Sequence, residues 1–190
     1  MRKFNLQLFD ASRAALLRNT IADYLKVGEA NELMGTGFTT LDESPGAQTD
    51  DETYINEVTS SSDVTSYKTE FGYESRLIPS QKAILALYKD GRDHHTGDAA
   101  QHEYIRVDLF NPVGTPTVDP QTGEVTEAFY KARKFIVANE VKDFKGGGGE
   151  KIAVSGTLHA VGDPVQGKFD TVSKQFTAGD FTGTYDNANG

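Results

Sequence analysis

The sequence predicts a mainly β fold: a β-sandwich or barrel-like arrangement with one flanking α-helix. Three observations carry this. Apolar and polar residues alternate with period two over 64–78 and 103–110, the mark of half-buried strands. Turn signals punctuate the chain at Ser44-Pro45-Gly46, Asp119-Pro120-Gln121-Thr122-Gly123 and Asp163-Pro164. A helical stripe backed by end signals occurs once, over about 80–90.

Taken in order, residues 1–10 are a mixed polar and apolar arm. A short helix through Ala14, Leu17, Ile21 and Tyr24, capped by Asp10 or Ser12, competes there with an extended arm that orders only on assembly. Residues 23–28 alternate as a strand, and Phe38-Thr39-Thr40-Leu41 begins another. A polar stretch then runs to about 63, with a second loop signal at Thr59-Ser60-Ser61-Ser62-Asp63. A connection this long is usually functional or disordered. In 64–78, Tyr67, Phe71, Tyr73 and Leu77 share one face, opposite Ser66, Lys68, Glu70, Glu74 and Arg76. Ser80 is the expected cap of the helix, Ile84, Leu87 and Tyr88 its apolar stripe, and Gly91 its left-handed end.

The strand over 103–110 carries Ile105, Val107 and Leu109 on one face and stops at Asn111-Pro112. Residues 115–126 form a hairpin connection. Residues 129–144 read as a strand with a break near Ala138-Asn139, and Gly146–Gly149 as a flexible loop. Residues 152–161 and 168–176 read as a closing hairpin, and 178–190 as a frayed tail. The 190 residues fit one domain. It is divided as an arm over 1–21, a β domain over 22–177 with a long acidic loop over about 42–63, and a flexible tail over 178–190.

Composition narrows the function. The chain has no cysteine, which removes disulfides, thiolate metal sites and thiol nucleophiles. No apolar run approaches the ~20 residues that span a bilayer, so no membrane insertion is expected. The N-terminal ten residues lack the pattern of a signal peptide, so a cytoplasmic origin is expected. The formal charge is −9, opposite to the basic stripe that grips nucleic acid. It does not argue against a protein that lets DNA slide past without sticking, since like charges repel.

The charge is segregated. No Lys or Arg lies between Lys26 and Lys68, an interval holding nine acids, Asp42, Glu43, Asp50, Asp51 and Glu52 among them. From Lys131 to Lys151 six bases, including Arg133, Lys134, Lys142 and Lys145, stand against three acids. Exposed charge is ordinarily just solvated surface. The alternative is that copies stack, with one copy's acidic loop near another's basic strands. Asp42, Glu43, Asp50, Asp51, Glu52, Lys131, Arg133, Lys134, Lys142 and Lys145 are the contact candidates.

Catalytic patterns are weak. Gly146-Gly147-Gly148-Gly149-Glu150-Lys151 lacks the Gly-Lys-Ser/Thr ending of a phosphate loop. His94-His95 with Asp93 and Asp98 has no further ligand at zinc spacing, and His102 and His159 are single histidines. The paired carboxylates have no desolvating setting that would divide them into acid and base. Neither the twelve-residue calcium loop nor a Gly-x-Ser-x-Gly elbow is present. No enzymatic activity, cofactor or metal is expected.

Several blocks resemble one family. Asp23-Tyr24-Leu25-Lys26-Val27-Gly28 and Leu33-Met34-Gly35-Thr36-Gly37-Phe38-Thr39-Thr40-Leu41 are similar to its opening. Thr53-Tyr54-Ile55-Asn56 and Tyr67-Lys68-Thr69-Glu70-Phe71 are similar to the strands around its serine-rich link. Tyr104-Ile105-Arg106-Val107-Asp108-Leu109-Phe110 is similar to its central strand, and Ser155-Gly156-Thr157-Leu158-His159-Ala160 with Gly162-Asp163 to its last hairpin. In order and spacing the chain resembles the major tail tube proteins of long, non-contractile-tailed bacteriophages (siphophages) of Gram-positive hosts.

That resemblance implies a structural virion protein forming homohexameric rings. Sheets of neighbouring subunits join into a barrel around a lumen, and rings stack around a tape measure protein between tail initiator (distal tail) and tail terminator proteins. Genomic DNA passes through without specific binding. Two alternatives remain at this stage. One is the inner tube of a contractile tail or tail-like bacteriocin. The other, from a different class, is a carbohydrate- or host-binding module of a tail tip, which would expose aromatics near loop ends.

Overall fold

The computed structural model describes residues 15–186. A 3-10 turn at Arg18–Thr20 leads into β1 (Ile21–Val27), and a two-residue turn at Gly28-Glu29 returns through β2 (Ala30–Leu33). β3 (Phe38–Ser44) follows, then β4 (Ala47–Glu52), β5 (Ser61–Tyr67) and β6 (Glu70–Arg76). Helix α1 spans Lys82–Arg92, and a second 3-10 turn at Gly97–Ala100 delivers β7 (Gln101–Pro112). β8 (Thr117–Val118) and β9 (Val125–Glu127) form a small hairpin. The chain closes with β10 (Phe129–Lys145), β11 (Ala153–Ala160), β12 (Val165–Asp170) and β13 (Gln175–Ala178).

The fold is mainly β: nine strands form one curled antiparallel sheet, ordered β2-β1-β7-β10-β11-β6-β3, with β12 and β13 branching from β10. The branch point explains the curl. β10 is 17 residues long and gives one edge to β7. Its other edge is shared: residues 129–134 pair with β12, and residues 137–145 pair with β11. β11 and β12 are therefore successive partners of one long strand, and not the closing hairpin the sequence suggests; β12 turns back on β13 instead. Asp163-Pro164 marks the step between the two partners.

Each sheet face has its own core. Leu25, Phe71, Tyr73, Tyr104, Phe135, Val137, Val154 and Leu158 pack on one face under α1, which contributes Ala83 and Leu87. Tyr24, Ile105, Val107, Ala132 and Phe169 pack on the other, beneath β12 and β13. β7 is covered on both faces from Tyr104 to Val107. Residues 21–25 alternate between these cores, which is why Ile21 and Tyr24 lie in a strand and not in a helix. The proposed caps Asp10 and Ser12, Ala14 and the rest of the arm before residue 15 lie outside the described residues, as do residues 187–190.

Other local expectations are corrected. The acidic stretch is regular: β4 and β5 pair as a separate two-stranded ribbon beyond the Pro45-Gly46 turn. Tyr67 belongs to this ribbon and is exposed, whereas Phe71 and Tyr73 are buried in β6 as their alternation predicts. Gln81, and not Ser80, stands at the helix N-cap, without a side-chain cap bond. Gly91 lies inside the helix, and the left-handed residue after it is His94. β10 does not break at Ala138-Asn139; its irregularities fall at Tyr130/Lys131 and Val141/Asp143. The tail read as frayed is held as far as Asp186, which accepts from the Asn111 amide and the Gly183 N–H and pairs with Lys131 at 3.0 Å.

Candidate functional site

Two features stand out beyond the cores: a buried charged seam and the exposed ribbon. The seam begins with cross-strand register. Asp23 on β1, Arg106 on β7 and Arg133 on β10 stand opposite one another in one row. The next row is Leu25, Tyr104 and Phe135. Asp23 is 3% exposed and Arg106 4%. Arg106 Nε donates to Asp23 Oδ1 at 2.8 Å, and the Tyr104 hydroxyl donates to the same oxygen. Arg18 pairs with the other oxygen of Asp23.

The curl brings β3, the far edge of the sheet, back over this row. Glu43 on β3 accepts from Arg106 Nη1 at 2.8 Å and from both Arg133 Nη atoms at 2.7 and 2.9 Å. The Leu41 carbonyl accepts from Arg106 and Arg18. The Arg106 guanidinium also lies 5.1 Å from the Phe71 ring centroid, a cation–π distance. Burial pulls the Glu43 carboxyl up, but the hydrogen bonds and charges of Arg133 and Arg106 outweigh it and hold the pKa below its ordinary value. Burial pushes Asp108 up, with Arg133 opposing. The seam is a staple that fixes the curl.

A second knot ties α1 to the sheet. Asp90, buried on the inner face of the helix, accepts from His102 Nε2 at 2.6 Å, His95 Nδ1 at 3.1 Å and Asn139 Nδ2 at 2.8 Å. Tyr73 donates to Asn139 Oδ1 at 3.0 Å. Burial raises the Asp90 pKa, yet bonds from His102, Asn139 and His95 bring it below the ordinary value. His95 and His102 are thus joined through a carboxylate, while His94 is exposed with Asp93 and Asp98 beside the same loop. His159 lies between Glu140, at 2.6 Å, and Glu70, at 3.2 Å. Among the described residues no cluster of three or more His, Cys, Asp or Glu is arranged to hold a metal, and no helix is long and apolar enough to cross a membrane.

The ten charged candidates divide into two sets. Glu43 and Arg133 meet each other in the seam. Lys131 pairs with Asp186, and Lys134 shares Glu103 with Lys26. Asp50, Asp51 and Glu52 lie on the exposed β4–β5 ribbon, their carboxylates free of any cation within the described chain. Asp42 is exposed at the ribbon's side of β3, and Lys142 and Lys145 line the same shallow groove as Asp42 near β11. Sequence reasoning missed Asp23, Arg106 and Asp90. The available signal was a charged residue at a core-facing position: Asp23 shares a face with Leu25, and Arg106 with Tyr104.

The arrangement offers hydrogen-bonded ion pairs that are satisfied within the chain, and an acidic, partly apolar projection that is not. No family model matches the chain, and no curated protein matches it. Solved structures do. One is a chain from the tail of an empty GTA particle, obtained by helical refinement with C6 symmetry; it is 12% identical, with a TM-score of 0.52 over 86% of this chain and 100% of that one. Another is a chain of the anti-feeding prophage (AFP) baseplate, 6-fold symmetrised, 8% identical, with a TM-score of 0.42 over 77% of this chain and 91% of that one. The protein shares its fold with the GTA tail chain along that chain's whole length.

Proposed function

We propose that this protein is the major tail tube subunit of a long, non-contractile phage tail, a structural protein without enzymatic activity. It polymerises as stacked hexameric rings into the hollow conduit for DNA delivery. The observation that carries this is the fold shared with the subunit of a C6-symmetric tail over that subunit's entire length. Three features of the molecule support it. The curled sheet is open, and open edges invite pairing with another copy unless covered. The charged seam makes each subunit a rigid curved segment before assembly. The ribbon projects with every residue of β4 and β5 exposed.

In this role the protein's first partner is itself. Tape measure, initiator and terminator proteins set the length and ends, and DNA passes without specific binding past a chain of charge −9. Its place is the virion tail, after assembly in the host cytoplasm. The test is negative-stain electron microscopy of purified protein across concentrations, with light scattering alongside. Rings or hollow tubes of uniform width are expected. A chain that stays monomeric even with the initiator and tape measure proteins overturns the proposal.

A further inference from the structure

Three stretches of chain meet at one end of the sheet and enclose a cleft of about 690 Å³. They are Gly37 to Thr39 at the start of β3, Arg76 to Pro79 between β6 and α1, and Lys151 with Ile152 just before β11. Backbone bonds hold them together. Arg76 N–H donates to the Gly37 carbonyl at 2.7 Å, and Leu77 N–H donates to the Ile152 carbonyl at 2.8 Å. The packing behind them is close: a Cβ on Gly37, whose φ is +94°, would lie 2.6 Å from Ile84 Cδ1 on α1. The cleft is thus built before any ligand arrives, and its size falls within the ~300–1,000 Å³ of small-molecule sites.

The wall is apolar and its charge is one-sided. Phe38, Leu77, Ile78 and Ile152 line it, and its ionisable side chains are Arg76 and Lys151. In a chain with 28 acids against 19 bases, no acid lines this cleft. Lys131, Arg133 and Lys134 are all engaged by acids, whereas Arg76 and Lys151 pair with none among the described residues. Glu150, next to Lys151, accepts instead from Gly147 N–H at 2.9 Å. Arg76 stands opposite Ala153 in the β6–β11 register, so Lys151 lies two places further along the facing chain. Diagonal neighbours of this kind are ~7–8 Å apart, within reach of long side chains. Both cations can therefore close on one anion.

We infer that this cleft is a binding site for a single-chain anionic amphiphile, a free aliphatic carboxylate of the fatty-acid class. The hydrocarbon lies against Leu77, Ile78 and Ile152, and the carboxylate is held between Arg76 and Lys151. Removal of the chain from water supplies the affinity. Charge-assisted hydrogen bonds to the head group select its sign. An alcohol of the same length keeps the first contribution and loses the second, and a cationic chain is repelled. Nothing in this site requires a second copy of the protein.

Titration calorimetry of the purified chain with sodium decanoate, below its micelle-forming concentration, tests the assignment. Saturable one-to-one binding is expected, with decanol and decyltrimethylammonium weaker by about tenfold or more. Arg76→Gln combined with Lys151→Gln changes two exposed side chains. It should weaken decanoate by about tenfold and leave decanol binding and the urea midpoint unchanged. Lys89→Gln with Lys174→Gln removes the same charge from exposed positions elsewhere and should leave decanoate binding as it is. Equal affinity for decanoate and decanol, a double variant at 76 and 151 that binds like wild type, or no binding at millimolar decanoate overturns the site. If decanoate fails to bind and that double variant also fails to form tubes, the cleft is a contact between copies, and the amphiphile reading falls while the tube reading stands.

Discussion

Arg106 is the side chain on which the seam turns. It reaches Asp23, Glu43 and the Leu41 carbonyl at once, so it bonds β7 to β1 and to β3. Breaking a buried pair by removing one partner leaves a charge without compensation and costs ~3–5 kcal/mol. Arg106→Leu should therefore destabilise the monomer in urea unfolding, by less than that full cost because Arg18 and Tyr104 still bond Asp23 and Arg133 still pairs with Glu43. The same groups set the acid limit. Glu43 and Asp90 both have pKa values lowered on folding, against unfolded values of about 4.3 and 3.9. Their contribution is complete above those unfolded values and is lost as pH falls through the folded ones. Thermal melts should hold level from pH 7 to about 5 as far as these groups are concerned, and drop below about pH 4. Glu43→Gln should flatten part of that drop. At this scale the sequence marked charged residues at core-facing positions but not their pairing, because Asp23, Glu43 and Arg106 meet only through the register of strands far apart in the chain.

Among the elements, α1 shows why a familiar signal misleads. A glycine near a helical stripe ordinarily ends the helix through a positive φ. Gly91 does something else: a Cβ there would lie 2.8 Å from Val141 Cβ and 2.9 Å from the Phe144 ring. The glycine allows α1 to press against β10. Gly91→Ala gains ~1 kcal/mol in helix propensity but incurs ~1–3 kcal/mol of overpacking. A lower melting temperature with unchanged helical circular dichroism is the expected result. Strand faces were legible from alternation alone, as Phe71 and Tyr73 in β6 and Ile105 and Val107 in β7 demonstrate. Pairing was not. The alternation of 152–161 marks β11, whereas 168–176 spans the end of β12, a turn at 171–174 and the start of β13, and only the length of β10 decides that β11 and β12 both lie along it. The acidic stretch likewise read as loop, because an isolated ribbon has no buried face to leave a period-two trace.

For the whole molecule, what matters is which charges remain free once the chain is folded. The seam takes up Glu43 and Arg133, while Asp50, Asp51 and Glu52 stay on the ribbon. Reversing those three together to Lys should leave the monomer's urea midpoint unchanged and block polymerisation. Normal tubes from the triple variant would remove the ribbon from the contact. The segregated charge was thus legible in the sequence as a pattern, while its division between internal pairs and free surface required the fold.

The ribbon's composition also fixes how the free chain meets proteases. Between Lys26 and Lys68 there is no Lys or Arg, so trypsin finds no bond to cut within the exposed ribbon. Chymotrypsin does find targets there, Tyr54 exposed at the tip and Tyr67 on the stem. Limited digestion should therefore nick the free subunit with one enzyme and spare the ribbon with the other. Copies packed into an assembly should lose the chymotryptic sites, which turns a pair of common enzymes into a gauge of how much of the protein has been incorporated.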